Sequence, residues 1–177
     1  MNISGSTITG NIAELDGGGF ALIRSDSDTI TDSEISGNAA YDGYGGGDGG
    51  GGYIFGSDAA TLTGLTISGN TAGLNGGGLV LNEVSSAEVS GSTIDGNSAY
   101  DGAGVWINDS TVDVEASTIS RNIAQNDGGA FYVQQNSRSA LTLTNSTVAM
   151  NVAFDDGGAV HLDGLTGAGP LDNELTL

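Results

Sequence analysis

The feature of this sequence that most restricts its fold is a repeat with a period of about 27 residues. Each copy has an Ile or Val three residues before an Asn, and an Ala two residues after that Asn. Consecutive Asn residues are 27, 32, 27, 25 and 29 positions apart, and they are Asn11, Asn38, Asn70, Asn97, Asn122 and Asn151. This regular spacing predicts a solenoid, because one such unit cannot bury its apolar face until the next unit stacks on it.

Each repeat also contains a glycine-rich turn that leads into an alternating segment. Examples are DGGGFALI at 16–23, DGGAFYVQ at 127–134 and DGGAVHLD at 156–163. A third alternating segment, such as LTLT at 141–144, completes the unit. Alternation with a period of two between Gly, Asn, Asp and Ser turns predicts three short β-strands in each repeat and no helix. The second repeat carries additional glycines, and we expect an insertion at 43–52.

These patterns predict an all-β fold, a right-handed single-stranded parallel β-helix of about six coils. A leucine-rich repeat is the nearest alternative, because Leu62, Leu65, Ile67 and Asn70 match its core pattern. The glycines and strand that follow each Asn fit a β-helix better than a Leu-rich convex segment. We expect a single domain over 1–177, with repeats at about 3–29, 30–60, 61–86, 87–111, 112–140 and 141–163 and a partial last strand in 164–177.

Stacked coils place equivalent residues in rows with a spacing of about 4.8 Å. We expect the six repeat Asn residues to form an internal amide ladder that satisfies backbone groups at a turn. One inward apolar row is predicted to be Ile8, Ile35, Ile67, Ile94, Ile119 and Val148. A second is predicted to be Phe20, Tyr53, Leu79, Val105, Phe131 and Val160. A third is predicted to be Leu22, Phe55, Leu81, Ile107, Val133 and Leu162.

The repeats resemble those of a known group of bacterial proteins. The combination of the Asn motif with a later Gly-Gly-Ala-apolar segment is similar to the FxxN and GGAI repeats of polymorphic outer-membrane autotransporter passengers. The stretch 141–162, LTLTNSTVAMNVAFDDGGAVHL, resembles repeats of large secreted bacterial proteins with right-handed β-helix regions. This resemblance implies an extracellular or cell-surface location and a role in adhesion or scaffolding.

The charge of the chain restricts its partners. Only three Lys or Arg residues accompany 22 Asp and Glu residues, which gives a net charge of −19. Nucleic acids and anionic membranes bind proteins through Lys and Arg, so we expect no nucleic-acid partner. No apolar run approaches the roughly 20 residues that span a bilayer, so we expect no direct membrane insertion. The chain has no cysteine and therefore no disulfide framework.

The residues before the glycine turns suggest a cation site. They form an acidic row in which Asn75 replaces one acid, and Asp48 lies near it. Stacked carboxylates repel one another unless they are solvated or bridged by cations, and Ca²⁺ prefers oxygen ligands. The alternative is that Asp and Asn are simply favoured before glycine turns. We expect no required cofactor, with Ca²⁺ as the candidate ion on Asp16, Asp42, Asp101, Asp127, Asp155 and Asp156.

The second strand of each repeat predicts a binding surface. Its outward positions carry apolar and aromatic residues, which suit contacts with sugars or with another protein. An ordinary sheet face covered by loops is the alternative. The predicted surface-binding stripe consists of Ile54, Val80, Trp106, Tyr132 and His161.

The functional prediction is a structural or adhesive solenoid and not an enzyme, because no cluster of candidate catalytic residues interrupts the repeat. It is expected to be a fragment of a longer protein or a head-to-tail filament subunit. Its expected partners are itself, end to end, or other surface proteins and glycans. Two alternatives remain: a glycan-binding or polysaccharide-degrading β-helix enzyme, and an ice-binding solenoid that uses a threonine row. That row is Thr7, Thr66, Thr93, Thr118 and Thr147, interrupted by Glu34.

Overall fold

A computed structural model of the chain describes residues 1–134, 139–164 and 174–176. These residues form 25 β-strands in four parallel sheets, and no helix occurs among them. Each coil passes once through all four sheets, which we label A to D in chain order. The predicted β-helix of about six coils is confirmed, while most of the predicted tail at 164–177 lies outside the described residues.

Sheets A and B carry the first two strands of each coil. Sheet A has seven strands: β1 (Asn2–Ser4), β5 (Ser27–Thr31), β9 (Ala59–Thr63), β13 (Ala87–Ser90), β17 (Thr111–Glu115), β21 (Ala140–Thr144) and β25 (Glu174–Thr176). Sheet B has six strands: β2 (Thr7–Thr9), β6 (Glu34–Ser36), β10 (Thr66–Ser68), β14 (Thr93–Asp95), β18 (Thr118–Ser120) and β22 (Thr147–Ala149).

Sheets C and D carry the last two strands of each coil. Sheet C has six strands: β3 (Ile12–Ala13), β7 (Ala39–Ala40), β11 (Thr71–Ala72), β15 (Ser98–Ala99), β19 (Ile123–Ala124) and β23 (Val152–Ala153). Sheet D also has six: β4 (Phe20–Ile23), β8 (Gly52–Phe55), β12 (Leu79–Asn82), β16 (Val105–Asn108), β20 (Phe131–Gln134) and β24 (Val160–Asp163). The prediction of three strands per coil missed sheet C, because two-residue strands are too short to show alternation.

The apolar core fills the space between the sheets. The predicted row that begins at Ile8 is confirmed, since each member pairs in register with its equivalent one coil away. Ile35, Ile67, Ile94 and Ile119 are fully buried. Ile8 and Val148, in the first and sixth coils, are only partly buried. The inward alanines of sheet C, among them Ala72, Ala99 and Ala124, form a second, smaller cluster with Ala103.

The second coil differs from the prediction by one residue in sheet D. Gly52, not Tyr53, pairs with Phe20 and Leu79, and Ile54, not Phe55, pairs with Leu22 and Leu81. A one-residue shift turns every side chain of a strand to the opposite face. The Phe20 ring occupies the space that Gly52 leaves, since a Cβ on Gly52 would lie 2.2 Å from Phe20 Cζ. A run of glycines gives no side-chain pattern from which this register can be read.

The corner between sheets C and D explains the Asp-Gly motif. In every coil it contains a glycine with positive φ: Gly17, Gly49, Gly76, Gly102, Gly128 and Gly157. A Cβ at Gly17 would lie 2.3 Å from the Phe20 carbonyl oxygen, and one at Gly49 would lie 2.5 Å from that of Gly52. The other corners tolerate residues with side chains in the same conformation, such as Asp32 and Arg121. Glycine is therefore required at this corner by both conformation and space.

The insertion of the second coil is shorter than predicted. Asn38 and Asn70 are 32 residues apart, against 27 for the flanking pairs. The Leu74 N–H donates to the Gly47 carbonyl, which places Gly47 at the Leu74 position of the next coil. The extra residues are therefore 42–46, and Gly49 to Gly52 belong to the regular repeat.

No helix among the described residues is long and apolar enough to cross a membrane.

Candidate functional site

The repeat Asn residues form a continuous hydrogen-bonded row at the corner between sheets B and C. Asn97 is typical: its backbone N–H and its Nδ2 both donate to Asn122 Oδ1, at 3.0 and 2.9 Å. Its Nδ2 also donates to the Ile67 carbonyl, at 3.1 Å. Its Oδ1 accepts from the backbone N–H and the Nδ2 of Asn70. The same contacts join Asn11, Asn38, Asn70, Asn97, Asn122 and Asn151.

The acidic row runs along the corner between sheets C and D. Its members precede the corner glycines, and they are Asp16, Asp48, Asn75, Asp101, Asp127 and Asp156. The Oδ1 of Asp48 accepts the backbone N–H of Asn75 at 3.0 Å, and the Oδ1 of Asp101 accepts that of Asp127 at 3.0 Å. Burial, with the charge of Asp16, raises the pKa of Asp48. These carboxylates therefore serve as acceptors for the backbone of the next coil.

Two members of the predicted calcium row lie elsewhere. Asp42 belongs to the five-residue insertion, and its carboxylate accepts the backbone N–H groups of Tyr44 and Gly46 at 2.7 and 2.8 Å. These bonds, that from Gly46 first, lower the pKa of Asp42. Asp155 stacks on Asn126, to whose carbonyl its N–H donates. Asp42 was assigned wrongly because the glycine run offered two Asp-Gly pairs, and the structure uses the later one, at Asp48.

One group of three metal-ligating side chains occurs among the described residues. Potential ligand atoms of Asp127, Asp156 and His161 all lie within 4.8 Å of one another. His161 Nδ1 is 3.8 Å from Asp127 Oδ1. The His161 ring stacks on Tyr132 with centroids 5.0 Å apart, and the Tyr132 hydroxyl donates to Asp163. Burial raises the pKa of Tyr132. Two carboxylates and an imidazole suit Zn²⁺ or Mn²⁺ better than Ca²⁺, which prefers oxygen ligands only.

The predicted binding stripe on sheet D is mostly covered. Ile54 was placed in it wrongly, because it points into the core, and Tyr53 takes its position next to Val80. Val80 is 0% exposed and Trp106 is 8% exposed. Glycine corners approach both side chains closely: a Cβ on Gly76 would lie 2.4 Å from Val80 Cγ2, and one on Gly102 would lie 3.0 Å from Trp106 Cβ. Tyr132 and His161 are partly exposed. The alternating pattern predicted the outward direction of most of these side chains but could not predict the turn that covers them.

Most strongly exposed apolar residues instead follow sheet C and the chain just after it. Ile12 and Val152 occupy the outward positions of their strands, opposite the inward alanines. Tyr41 and Phe154 directly follow those alanines in their coils. We call this set the C-edge stripe, and it consists of Ile12, Leu15, Tyr41, Tyr44, Leu74, Tyr100, Ile123, Val152 and Phe154. Sequence reasoning missed it because these positions alternate with polar residues from coil to coil.

An acidic groove crosses the outward face of sheet A. Glu88 and Asp113 occupy equivalent positions on β13 and β17, and Glu115 lies two residues further along β17. Thr142 and Thr144 continue the two rows on β21. The groove therefore presents three carboxylates and several hydroxyl groups to solvent. Its lining residues are Ser86, Glu88, Asp113, Val114, Glu115, Thr142 and Thr144.

The sheets and the stacked coils define the class of this protein as a parallel β-solenoid. The family model described as the right handed beta helix region matches residues 1–168, and the chain belongs to this family. The match confirms the predicted fold and its handedness. No curated protein and no solved structure gives a significant match to the chain.

Proposed function

We propose that this chain is a structural and adhesive β-solenoid segment of an extracellular or cell-surface protein. The observation that carries the proposal is the continuity of the Asn row and of the four sheets through all six coils. A continuous stack of this kind is a stiff scaffold that presents long outer faces. The resemblance to autotransporter passenger repeats and the net charge of −19 support a surface location.

End-to-end contacts form part of the proposal. Each Asn donates to the Asn of the following coil, so the row has donors at its Asn151 end and an acceptor at its Asn11 end. A further coil could therefore extend the row at either end, whether it belongs to the same protein or to another copy. Sheet A has one strand more than the others, so two copies in register would have to displace β1 or β25. Electron microscopy at increasing protein concentration would reveal or exclude such filaments.

The adhesive role is tested by binding assays run beside an activity assay. The immobilised protein is exposed to a panel of cell-surface glycans and extracellular proteins, and the same glycans are assayed for new reducing ends and unsaturated products. We expect retention of a partner without product formation. Absence of binding to every member of the panel and to intact cells would contradict adhesion.

The acidic groove on sheet A supports the alternative of a glycan-active enzyme. Paired carboxylates are the groups that hydrolyse glycosidic bonds, and Glu88 and Asp113 stand in adjacent coils. If products form and Glu88→Gln or Asp113→Asn abolishes them, the protein is an enzyme. Glu34→Gln, on the outward face of sheet B, is the matched control. Equal product formation by all three variants would point to a contaminating activity.

A divalent-cation site at Asp127, Asp156 and His161 is a second candidate function. The mixed oxygen and nitrogen ligand set supports it. We propose that Zn²⁺ or Mn²⁺ binds there and raises the melting temperature, because a ligand that binds only the folded state stabilises it. His161→Ala should remove the Zn²⁺ effect without changing the response to NaCl. An unchanged melting temperature of the unmodified protein with either metal would exclude the site.

A further inference from the structure

The C-edge stripe concentrates the exposed apolar surface of the described residues on one side of the solenoid. Nine of the thirteen strongly exposed large apolar side chains belong to it. Tyr44 is 98% exposed, Ile12 is 78% exposed and Phe154 is 73% exposed. Exposed apolar residues concentrated on one side of a protein mark an interaction site more often than singly scattered ones do.

The fold does not require these apolar side chains. The inward alanines of sheet C already close the core on this side, as Ala72, Ala99 and Ala124 are buried. Thr71 and Ser98 fill the same outward positions in the third and fourth coils, so polar residues are tolerated there. In those two coils Leu74 and Tyr100, just after the strand, maintain the apolar character. The stripe therefore extends along all coils without serving the core.

Acidic residues border the stripe in every coil except the third, where Asn75 takes their place. Glu14, Asp42 and Asp155 lie within the same chain segments, and the acidic row runs along the next corner. Arg121 lies beside the opposite border, but it is paired with Asp95 at 2.7 Å. An apolar surface with an acidic border complements a partner that combines apolar and cationic side chains. A second copy of this chain would bring its own charge of −19 against that border.

We propose that the C-edge stripe and the acidic row bind a basic, apolar segment of a partner protein. The partner's Lys or Arg side chains pair with the acidic row, and its aliphatic or aromatic side chains pack on the stripe. This inference rests on the proposed adhesive function, because it names the class of partner that the solenoid holds. The apolar contacts supply most of the affinity, and the charges supply orientation and rate of association.

Synthetic peptides test the proposal by fluorescence anisotropy on the full chain. The probe alternates Lys with Leu and Trp, and its controls are a Lys–Ser peptide of equal charge and a Glu–Leu–Trp peptide of opposite charge. We expect the Lys–Leu–Trp peptide to bind at least about tenfold more tightly than the Lys–Ser peptide at physiological salt. The Glu–Leu–Trp peptide should not bind. Equal binding of both basic peptides would overturn the proposal, because it would reveal attraction by charge alone.

A stripe variant locates the binding surface. The triple substitution Tyr41→Ser, Leu74→Ser and Tyr100→Ser should weaken binding of the Lys–Leu–Trp peptide at least about tenfold, measured at a temperature at which circular dichroism shows the variant to be folded. Ile23→Ser, an exposed apolar residue of sheet D, is the matched control and should bind normally. Normal binding by the triple variant would overturn the proposal. If that variant still retains its partner in the adhesion assay, the proposed function stands and the stripe has no part in it.

Two other occupants are excluded or identified by the same variants. Self-association that the triple variant abolishes, measured by sedimentation, would replace the basic partner with a second copy. Binding of anionic or neutral lipid vesicles that the triple variant abolishes would replace it with a membrane surface. Either outcome would contradict the proposal in its present form.

Discussion

At the scale of single residues, the Asn row supplies hydrogen bonds to backbone groups that strand pairing does not satisfy at the corner between sheets B and C. The chain bends there, so neighbouring backbone groups lose their regular ladder partners. Each buried Asn side chain accepts from a backbone N–H of the preceding coil and donates to a carbonyl in it. Buried polar groups left without partners are costly, which explains why one amide recurs in every coil.

Asn97→Ala should therefore destabilise the protein strongly. It removes the acceptor for the buried Asn70 N–H and the donor to the Ile67 carbonyl. We expect the free energy of unfolding to fall by on the order of 3 kcal/mol, measured by urea denaturation. Asn11→Ala is the control, because Asn11 is exposed and belongs to the first coil. Equal losses for the two variants would show that burial does not determine the contribution of the row.

Asp48→Asn should stabilise the protein at neutral pH. The pKa of Asp48 in the folded protein is raised above its ordinary value of 3.8 by burial and by the charge of Asp16. The folded state therefore binds the Asp48 proton more tightly than the unfolded state does. The cost of ionising Asp48 appears as pH rises through the folded-state pKa, and it is absent below pH 3.8. The Asn side chain keeps the acceptor for Asn75.

The measurement is the melting temperature of Asp48→Asn and of the unmodified protein from acidic to neutral pH. The variant should melt higher at neutral pH, and its advantage should disappear below the ordinary Asp pKa. Asp58→Asn, at an exposed position, is the control for the loss of one negative charge, and its gain at neutral pH should be smaller than that of Asp48→Asn. A constant difference across the pH range would contradict the assignment to ionisation of Asp48.

At the scale of the element, side-chain alternation predicted the strands of three sheets, and glycine content decided where the prediction failed. The Ile8 row was predictable because every coil carries a β-branched residue at the same distance from its Asn. The register of β8 was not predictable, since Gly49 to Gly52 offer no side chains. The cover over Val80 was not predictable either, because it depends on how closely the Gly76 corner approaches the sheet.

Phe20 and Gly52 should behave as a coupled pair across neighbouring coils. A Cβ on Gly52 would overlap the Phe20 ring, so Gly52→Ala should cost about 1–3 kcal/mol of stability. Phe20→Leu shortens the side chain that the new Cβ would meet. The double variant should therefore recover part of the stability that Gly52→Ala removes. A double-mutant cycle by urea denaturation measures the coupling. Gly69→Ala is the control. A Cβ at Gly69 would meet no atom within 4 Å, so this substitution has only the conformational cost of a positive φ. Additive effects would contradict the packing of this pair.

At the scale of the whole molecule, the fold and its handedness were predictable from periodicity, and the outer surfaces were predictable only in part. Periodicity reports which residues share a row, and this is enough to place the core of a solenoid. It does not report which outward rows the corners cover. The predicted binding stripe on sheet D is therefore largely covered, while the C-edge stripe, which was not predicted, is exposed.

The charge of the whole molecule should make its stability depend on salt. A net charge of −19 repels itself in the compact state, and the six-coil core is about 30 Å long. The screening length is also about 30 Å at 0.01 M salt and falls to about 8 Å at 0.15 M. Added salt therefore screens the repulsion between charges on distant coils. We expect NaCl to raise the melting temperature over this range.

A variant that removes one local repulsion separates this effect from other effects of salt. Glu88 and Asp113 lie side by side on β13 and β17, on the same face of sheet A. Glu88→Gln should therefore melt higher than the unmodified protein at low salt. Its advantage should shrink as NaCl rises, because screening removes the same repulsion. Glu115→Gln is the control and should gain less, since Ser90 and Thr144 flank Glu115 in its row and Asp113 lies two residues away along the strand. A melting temperature that ignores NaCl, or an advantage of Glu88→Gln that persists at high salt, would show that charge repulsion does not limit the stability of the solenoid.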